Sequence, residues 1–100
     1  METKEFQKKC AEVVEKIDQT YKVERDSQLG LCQLMEEVGE LAKELDKRKL
    51  RHKEPDMENL AGEFADIFLL FANLAKMQNV DLEEAVENKI VKLKKRGYLD

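Results

Sequence analysis

Residues 61–75, AGEFADIFLLFANLA, form the most apolar stretch of this 100-residue chain. Apolar side chains recur there at helical spacing and widen to most of the helix circumference, which predicts a buried helix. The only charged residues in the stretch are Glu63 and Asp66. Ionised carboxylates are costly to bury unless they are paired or bound to a metal. We therefore expect this helix to supply both core packing and part of a cation site.

A second pair of acids with the same spacing lies upstream, at Glu37 and Glu40. Residues three apart on a helix project to the same side, so two such pairs on packed antiparallel helices can surround one point. Oxygen-only ligands suit Mg²⁺ or Mn²⁺ and not zinc or copper. For Glu36 and Glu44, taken alone, a solvated helix face is the simpler interpretation.

The whole chain reads as a single all-α domain over residues 1–100, a four-helix bundle-like fold without strands. Caps and apolar periodicity place the helices. The third helix is apolar nearly all round, which suggests that a partner chain covers part of it and that oligomerisation completes the fold. The predicted helices run over about 3–21, 28–49, 56–78 and 81–96.

Charge and composition exclude several classes of function. The formal net charge is −4, and basic residues alternate with acidic ones up to residue 89, so a general nucleic-acid binder is not expected. No apolar run approaches the roughly 18 residues that a membrane span needs. The first ten residues lack the apolar core of a signal peptide, and we expect a cytoplasmic protein. Cys10 and Cys32 are isolated and read as small core residues.

The last predicted helix carries positive charge on its apolar side. Viewed down the helix axis, Lys89 projects between Leu82 and Ala85. Arg96, seven residues later, projects to the same side as Lys89. Lys92 and Arg96, spaced i,i+4, could together hold phosphate oxygens. Other catalytic chemistries lack their residues: His52 is the only histidine, and there is no Gly-rich phosphate loop.

Three segments together resemble a known family. Residues 34–45 read LMEEVGELAKEL, residues 63–66 read EFAD, and residues 83–98 read EEAVENKIVKLKKRGY. The first two resemble the EExxE…ExxD signature of the MazG-like nucleoside triphosphate pyrophosphohydrolases, in the all-α NTP pyrophosphatase superfamily. The third is similar to the basic last helix of that family. The resemblance covers residues 28–98.

The resemblance implies Mg²⁺-dependent hydrolysis of a ribo- or deoxyribonucleoside triphosphate between the α and β phosphates. It implies that the Mg²⁺ ligands are Glu37, Glu40, Glu63 and Asp66. Glu36 would orient water or a ligand, while Lys92 and Arg96 would grip the triphosphate, with Lys89 as a third basic residue. It also implies a homodimer or homotetramer with the base pocket between subunits. The chain departs from some relatives at two places where they carry lysine, namely Gln33 and Asn59.

Several alternatives stay open at this point. Within the superfamily, the chain could be a phosphoribosyl-ATP pyrophosphatase or an enzyme specific for dUTP or dCTP. From another class, it could be a catalytically silent helical module that binds a nucleotide or a protein, or a plain structural bundle.

Overall fold

The computed structural model describes residues 2–99, and these form four helices without a strand. The all-α prediction is therefore confirmed. The helix boundaries lie within about two residues of those that the sequence predicts. The helices are α1 Thr3–Tyr21, α2 Ser27–Arg51, α3 Met57–Met77 and α4 Leu82–Lys95.

Side chains and backbone turns explain where these helices begin and end. Asp26 caps α2 by accepting a hydrogen bond from the Leu29 amide at 2.8 Å. Asp81 caps α4 in the same way, accepting from the Glu84 amide at 3.1 Å. After α3, Asn79 takes a left-handed conformation with φ of 57°, which ends the helix. Gly97, with φ of 80°, follows α4 in the manner expected of a C-terminal glycine.

The central element is α3, because α1 and α2 both pack along it. Phe6 of α1 stacks on Phe68 of α3 with ring centroids 5.3 Å apart. On the other side, Gly30 lets α2 approach α3, since a Cβ there would lie 3.3 Å from the end of Met77. The buried apolar residues are small or medium in size: Cys10, Ala11, Val14, Leu34, Ala72 and Ala75. The core of a single chain is thus thin.

Helix α4 lies against α1, and two side chains of α1 hold its start. The Gln7 amide donates to the Val80 carbonyl at 3.0 Å, and its oxygen accepts from the Leu82 amide at 2.9 Å. Lys4 adds a salt bridge to Asp81 at 3.3 Å. The radius of gyration is 16.4 Å, against about 13 Å for a compact chain of this length. One chain therefore forms an open bundle.

Among the described residues, large apolar side chains of α2 and α3 remain exposed, and on α2 this differs from the expected packing. Apolar periodicity over residues 28–49 predicts one stripe on this helix that includes Leu31, Leu34, Met35, Val38 and Leu45. Of these five residues only Leu34 is buried, and the other four are exposed. The side of α2 that faces the rest of the chain instead includes Glu37, which is partly buried, and Glu44, which is buried. On α3, three phenylalanines are exposed by 38–55% of their surface: Phe64, Phe68 and Phe71. None of the described helices is long and apolar enough to cross a membrane.

Candidate metal and nucleotide site

Three of the four predicted ligands converge where α2 and α3 face each other. Glu37, Glu63 and Asp66 each offer a carboxylate oxygen, and these oxygens all lie within 4.8 Å of one another. Glu37 comes from α2, and the other two come from α3 at the i,i+3 spacing that puts them on one side of the helix. Glu37 and Glu63 are partly buried, and Asp66 is exposed. We call these three residues the acid cluster.

The acid cluster is electrostatically unbalanced. Burial raises the pKa of Glu37, and the neighbouring Glu63 carboxyl raises it further, as do the charges of Asp66 and Glu40. No lysine or arginine forms a salt bridge with any cluster residue within residues 2–99. The Oε2 atom of Glu63 is buried without a hydrogen-bond partner. A buried carboxylate oxygen without a donor carries an energetic penalty that a bound cation would remove.

The donor set fits a hard divalent cation. All the converging atoms are carboxylate oxygens, with no histidine nitrogen or cysteine sulfur among them. Such oxygens suit Mg²⁺ and Mn²⁺, whereas zinc and copper favour nitrogen and sulfur ligands. The unpaired Glu63 oxygen and the raised pKa of Glu37 both indicate missing positive charge. The residues present therefore fit the group that the sequence implied.

The fourth predicted ligand lies beside the acid cluster. Glu40, one turn after Glu37 on α2, is exposed and 3.8 Å from the Lys43 ammonium. It lines a cavity that also contains Glu63. Glu36 is exposed and lines a different cavity, together with Glu37 and Asp66. The structure thus brings Glu36 and Glu40 to either side of the acid cluster and leaves their roles as predictions.

These two cavities border the acid cluster at opposite ends. One, of about 270 Å³, lies beside the α1–α2 loop, and we call it the loop-side cavity. The other, of about 430 Å³, lies along the C-terminal half of α2, and we call it the basic cavity. Besides acids, the loop-side cavity is lined by Val14, Ile17, Arg25, Gln33, Leu69 and Leu70. The basic cavity is lined by Lys43, Lys47, Leu50, Arg51 and Asn59 as well as by acids.

The three basic residues predicted on the last helix lie elsewhere in the single chain. Lys89 lines an apolar groove of about 540 Å³ between α4 and the phenylalanines Phe68 and Phe71. Lys92 and Arg96 are exposed on α4. None of the three lines the loop-side cavity or the basic cavity. A role for them in phosphate binding stays a prediction.

Sequence reasoning missed an ion pair at the loop-side cavity. Asp18, at the end of α1, receives two hydrogen bonds from Arg25, at 2.7 Å from Nε and 3.0 Å from Nη2. Both side chains are about nine-tenths buried. One signal was present, because Asp18 follows Cys10 and Val14 at intervals of four and so lies on the buried face of α1. Arg25 lies in an aperiodic loop, which gave no such signal.

Glu44 differs from its simplest interpretation. The sequence suggested a solvated face, but Glu44 is only 8% exposed. Its carboxylate accepts hydrogen bonds from the Lys47 ammonium at 3.0 Å and from the Asp56 amide at 2.7 Å. Those two bonds lower the pKa of Glu44. Glu44 therefore joins α2 to the start of α3 and fixes the pairing on which the acid cluster depends.

These features define the class: an all-α protein with a carboxylate cluster between two antiparallel helices and a cavity at each end of it. A family model described as the MazG nucleotide pyrophosphohydrolase domain matches residues 25–97. The chain belongs to that family. No significant match was found among curated proteins or among solved structures. The family match begins at Arg25, so α1 lies outside it although α1 packs on α3.

Proposed function

We propose that this protein hydrolyses ribo- or deoxyribonucleoside triphosphates between the α and β phosphates, with Mg²⁺ as the cofactor and Mn²⁺ as a substitute. The products are a nucleoside monophosphate and pyrophosphate. The observation that carries the proposal is the acid cluster, with its three oxygens within 4.8 Å and its unpaired Glu63 oxygen. Membership of a nucleotide pyrophosphohydrolase family supports the same reaction class.

Each acid has a defined part in the proposed reaction. Glu37, Glu63 and Asp66 hold the cation, and Glu40 completes the ligand set from the basic-cavity side. A divalent cation there would supply positive charge to the phosphates and lower the pKa of a coordinated water. Glu36 lies outside the acid cluster but lines the adjoining cavity, so it is free to accept a hydrogen bond from the attacking water.

The chemical step follows from these positions. Glu36, a carboxylate outside the acid cluster, takes a proton from the attacking water as the water oxygen forms a bond to the α phosphorus, and the bond from that phosphorus to the bridging oxygen breaks. Pyrophosphate leaves with the bridging oxygen and its electron pair. Basic side chains near the acid cluster offset the charge that develops on the leaving group.

The test is release of pyrophosphate from a panel of canonical and modified NTPs and dNTPs, with Mg²⁺, with Mn²⁺ and with EDTA. We expect metal-dependent release with one monophosphate per pyrophosphate. Asp66→Ala should abolish turnover without changing the helical circular dichroism spectrum, because Asp66 is exposed and forms no salt bridge within residues 2–99. Full activity in Asp66→Ala would refute the proposed site. No release from any compound would instead favour a silent binding module.

We propose further that the working form is a homodimer or homotetramer. The exposed stripe on α2 and the exposed phenylalanines of α3 would be costly to leave in water. The expanded radius of gyration also suggests an unfinished bundle. Light scattering should give a mass of two or four chains. Met35→Lys, which puts a charge into the α2 stripe, should shift the mass towards one chain if that stripe is the interface.

A further inference from the structure

Gln7 of α1 binds the start of α4 with both polar atoms of its side-chain amide. Its Nε2 atom donates to the Val80 carbonyl at 3.0 Å, and its Oε1 atom accepts from the Leu82 amide at 2.9 Å. These partners lie 73 and 75 residues further along the chain. Because the family match begins at residue 25, Gln7 and the whole of α1 lie outside it. The contact is therefore a feature of this chain that family membership does not supply.

The two hydrogen bonds of Gln7 fix the direction of α4 as well as its position. The first amides of an α-helix have no acceptor within the helix. Asp81 caps the Glu84 amide at 3.1 Å, and Gln7 supplies the acceptor for the Leu82 amide. The same planar group also binds the Val80 carbonyl, which lies before the helix. A contact on both sides of Asp81 resists tilting of the helix start, which a single hydrogen bond would permit.

Other contacts hold α4 only weakly. No residue from Leu82 to Lys95 is buried. The helix packs mainly on α1, and the apolar groove of about 540 Å³ lies between it and the phenylalanines of α3. The Lys4–Asp81 salt bridge, at 3.3 Å, also reaches the start of α4, but the Lys4 side chain is exposed. Because exposed ion pairs contribute little, the position of α4 depends largely on Gln7.

A helix that is held at one end acts as a lever on the residues at its other end. Arg96, the C-cap residue, lies about 21 Å along the helix axis from Leu82, at 1.5 Å of rise per residue. A tilt of about 10° at the start would move Arg96 by about 3.7 Å and Lys92 by about 2.6 Å. Shifts of this size equal or exceed the tolerance of a hydrogen bond. The residues that the lever moves most are therefore the basic ones predicted to bind phosphate.

We propose that Gln7 is a positioning residue for the proposed reaction. Through the start of α4, it sets where Lys92 and Arg96 lie when they bind the triphosphate. In the single chain neither of them lines a cavity beside the acid cluster, so both need a defined position of α4 in the proposed oligomer to reach a substrate. This inference rests on the proposed function, and it gives α1 a part in substrate binding.

Steady-state kinetics of Gln7→Met tests the inference, because methionine keeps the length of the side chain and removes both hydrogen bonds. The KM for the best substrate of the nucleotide panel should rise about fivefold or more, because the phosphate-binding residues are displaced. The kcat and the Mg²⁺ concentration for half-maximal activity should stay unchanged, since the acid cluster lies between α2 and α3 and only substrate binding is weakened.

Two further variants make the kinetic test specific. Gln7→Glu keeps the acceptor for the Leu82 amide and loses the donor to the Val80 carbonyl, so its KM should rise less than that of Gln7→Met. Gln19→Met is the matched control and should change neither KM nor kcat. Gln19 is an exposed glutamine of the same helix, and its side chain has no hydrogen bond within residues 2–99.

A double-mutant cycle with Lys92→Gln shows whether Gln7 acts through α4. Each single variant should raise KM, and the combined variant should raise it by clearly less than the product of the two single effects. Amide hydrogen exchange in Gln7→Met should become faster in α4 and stay unchanged in α2. A purely structural role would lower Tm and leave the KM of the folded protein, measured well below Tm, unchanged.

The outcomes separate this inference from the proposed function. Release of pyrophosphate by the unmodified protein, with a raised KM in Gln7→Met and a non-additive cycle, supports both. Release with an unchanged KM in Gln7→Met and Gln7→Glu, or with independent effects of Gln7→Met and Lys92→Gln, overturns the positioning role and leaves the proposed function standing. A complete absence of release from the nucleotide panel overturns the proposed function and this inference together.

Discussion

Replacing Glu37 with glutamine should make the metal-free protein more stable and should remove its response to Mg²⁺. Glutamine keeps the shape of the side chain and removes one of three clustered negative charges. Its amide can also donate a hydrogen bond to Glu63, whose Oε2 atom is buried and unpaired. The substitution therefore relieves repulsion and satisfies an orphaned acceptor. It also removes one ligand atom from the proposed cation site.

The expected gain follows from the distances in the acid cluster. Two unit charges 4.8 Å apart repel by about 0.9 kcal/mol in water and about 3.5 kcal/mol at an effective dielectric constant of 20. Asp66 is exposed, so the lower figure applies to its pair with Glu37. Allowing for screening, the two relieved repulsions amount to about 2 kcal/mol. For a domain of this size that is a rise in Tm of about 10 °C.

The assay is thermal unfolding at pH 7 and fixed protein concentration, first in EDTA and then with increasing Mg²⁺. The unmodified protein should gain about 2.7 kcal/mol when Mg²⁺ reaches 100 times its Kd, whereas Glu37→Gln should gain little. Glu12→Gln is the matched control, because Glu12 is also partly buried at mid-helix but has no salt-bridge or hydrogen-bond partner within residues 2–99. If Glu37→Gln lowered Tm in EDTA and kept the full Mg²⁺ response, the reasoning would be refuted.

Three further predictions follow from the same contacts. The folded pKa of Glu37 is raised above its ordinary 4.5, so the destabilisation caused by its charge in EDTA should be absent below that pH and should grow as pH rises through the folded value. In a pH series of melts, the Tm difference between Glu37→Gln and the unmodified protein should widen over that range, and Mg²⁺ should reverse the loss. Asp18→Ala leaves the buried Arg25 guanidinium unpaired and should cost about 3 kcal/mol in urea unfolding, against less than about 1 kcal/mol for Lys76→Ala, which breaks an exposed pair. Glu44→Leu should lower Tm at pH 7. The Tm difference from the unmodified protein should shrink as pH falls below 4.5, because the pKa of Glu44 is lowered and the ionised carboxylate stabilises the fold only above its folded pKa. A Tm difference independent of pH would contradict a stabilising role for the ionised Glu44.

The positions of the helices could be predicted because their ends carry local signals. Asp26 and Asp81 cap the helices that follow them, and Asn79 and Gly97 take the left-handed conformations that end helices. These signals act within three or four residues, which is the range that a sequence reveals directly. The spacing within each acid pair is equally local, and it correctly indicated that Glu63 and Asp66 share one side of α3.

Which face of α2 meets α3 could not be predicted from periodicity. The apolar residues of α2 fall on two adjoining faces, and the more apolar one, with Leu31 and Met35, points away from the chain. The face of α2 that meets α3 contains Gly30, which permits close approach of the two helices. It also contains Glu44, whose carboxylate accepts a hydrogen bond from the Asp56 amide at the start of α3. Both reasons are contacts between segments distant in sequence. For the same reason, the sequence did not reveal that Glu40 lies outside the tightest group of acids.

The contrast between two acids of α2 is the best physical argument that the acid cluster is a binding site. Glu44 and Glu37 are seven residues apart on the same side of the helix, and both turn towards α3. The fold gives Glu44 an ammonium group and a backbone amide, which lower its pKa. It buries part of Glu37 beside other acids, and both the burial and the acids raise the pKa of Glu37; it also leaves an oxygen of Glu63 with no donor. A chain that satisfies one buried carboxylate so fully has the means to satisfy its neighbour, so the unsatisfied set indicates a partner that is not part of the polypeptide, and three convergent oxygens indicate a cation.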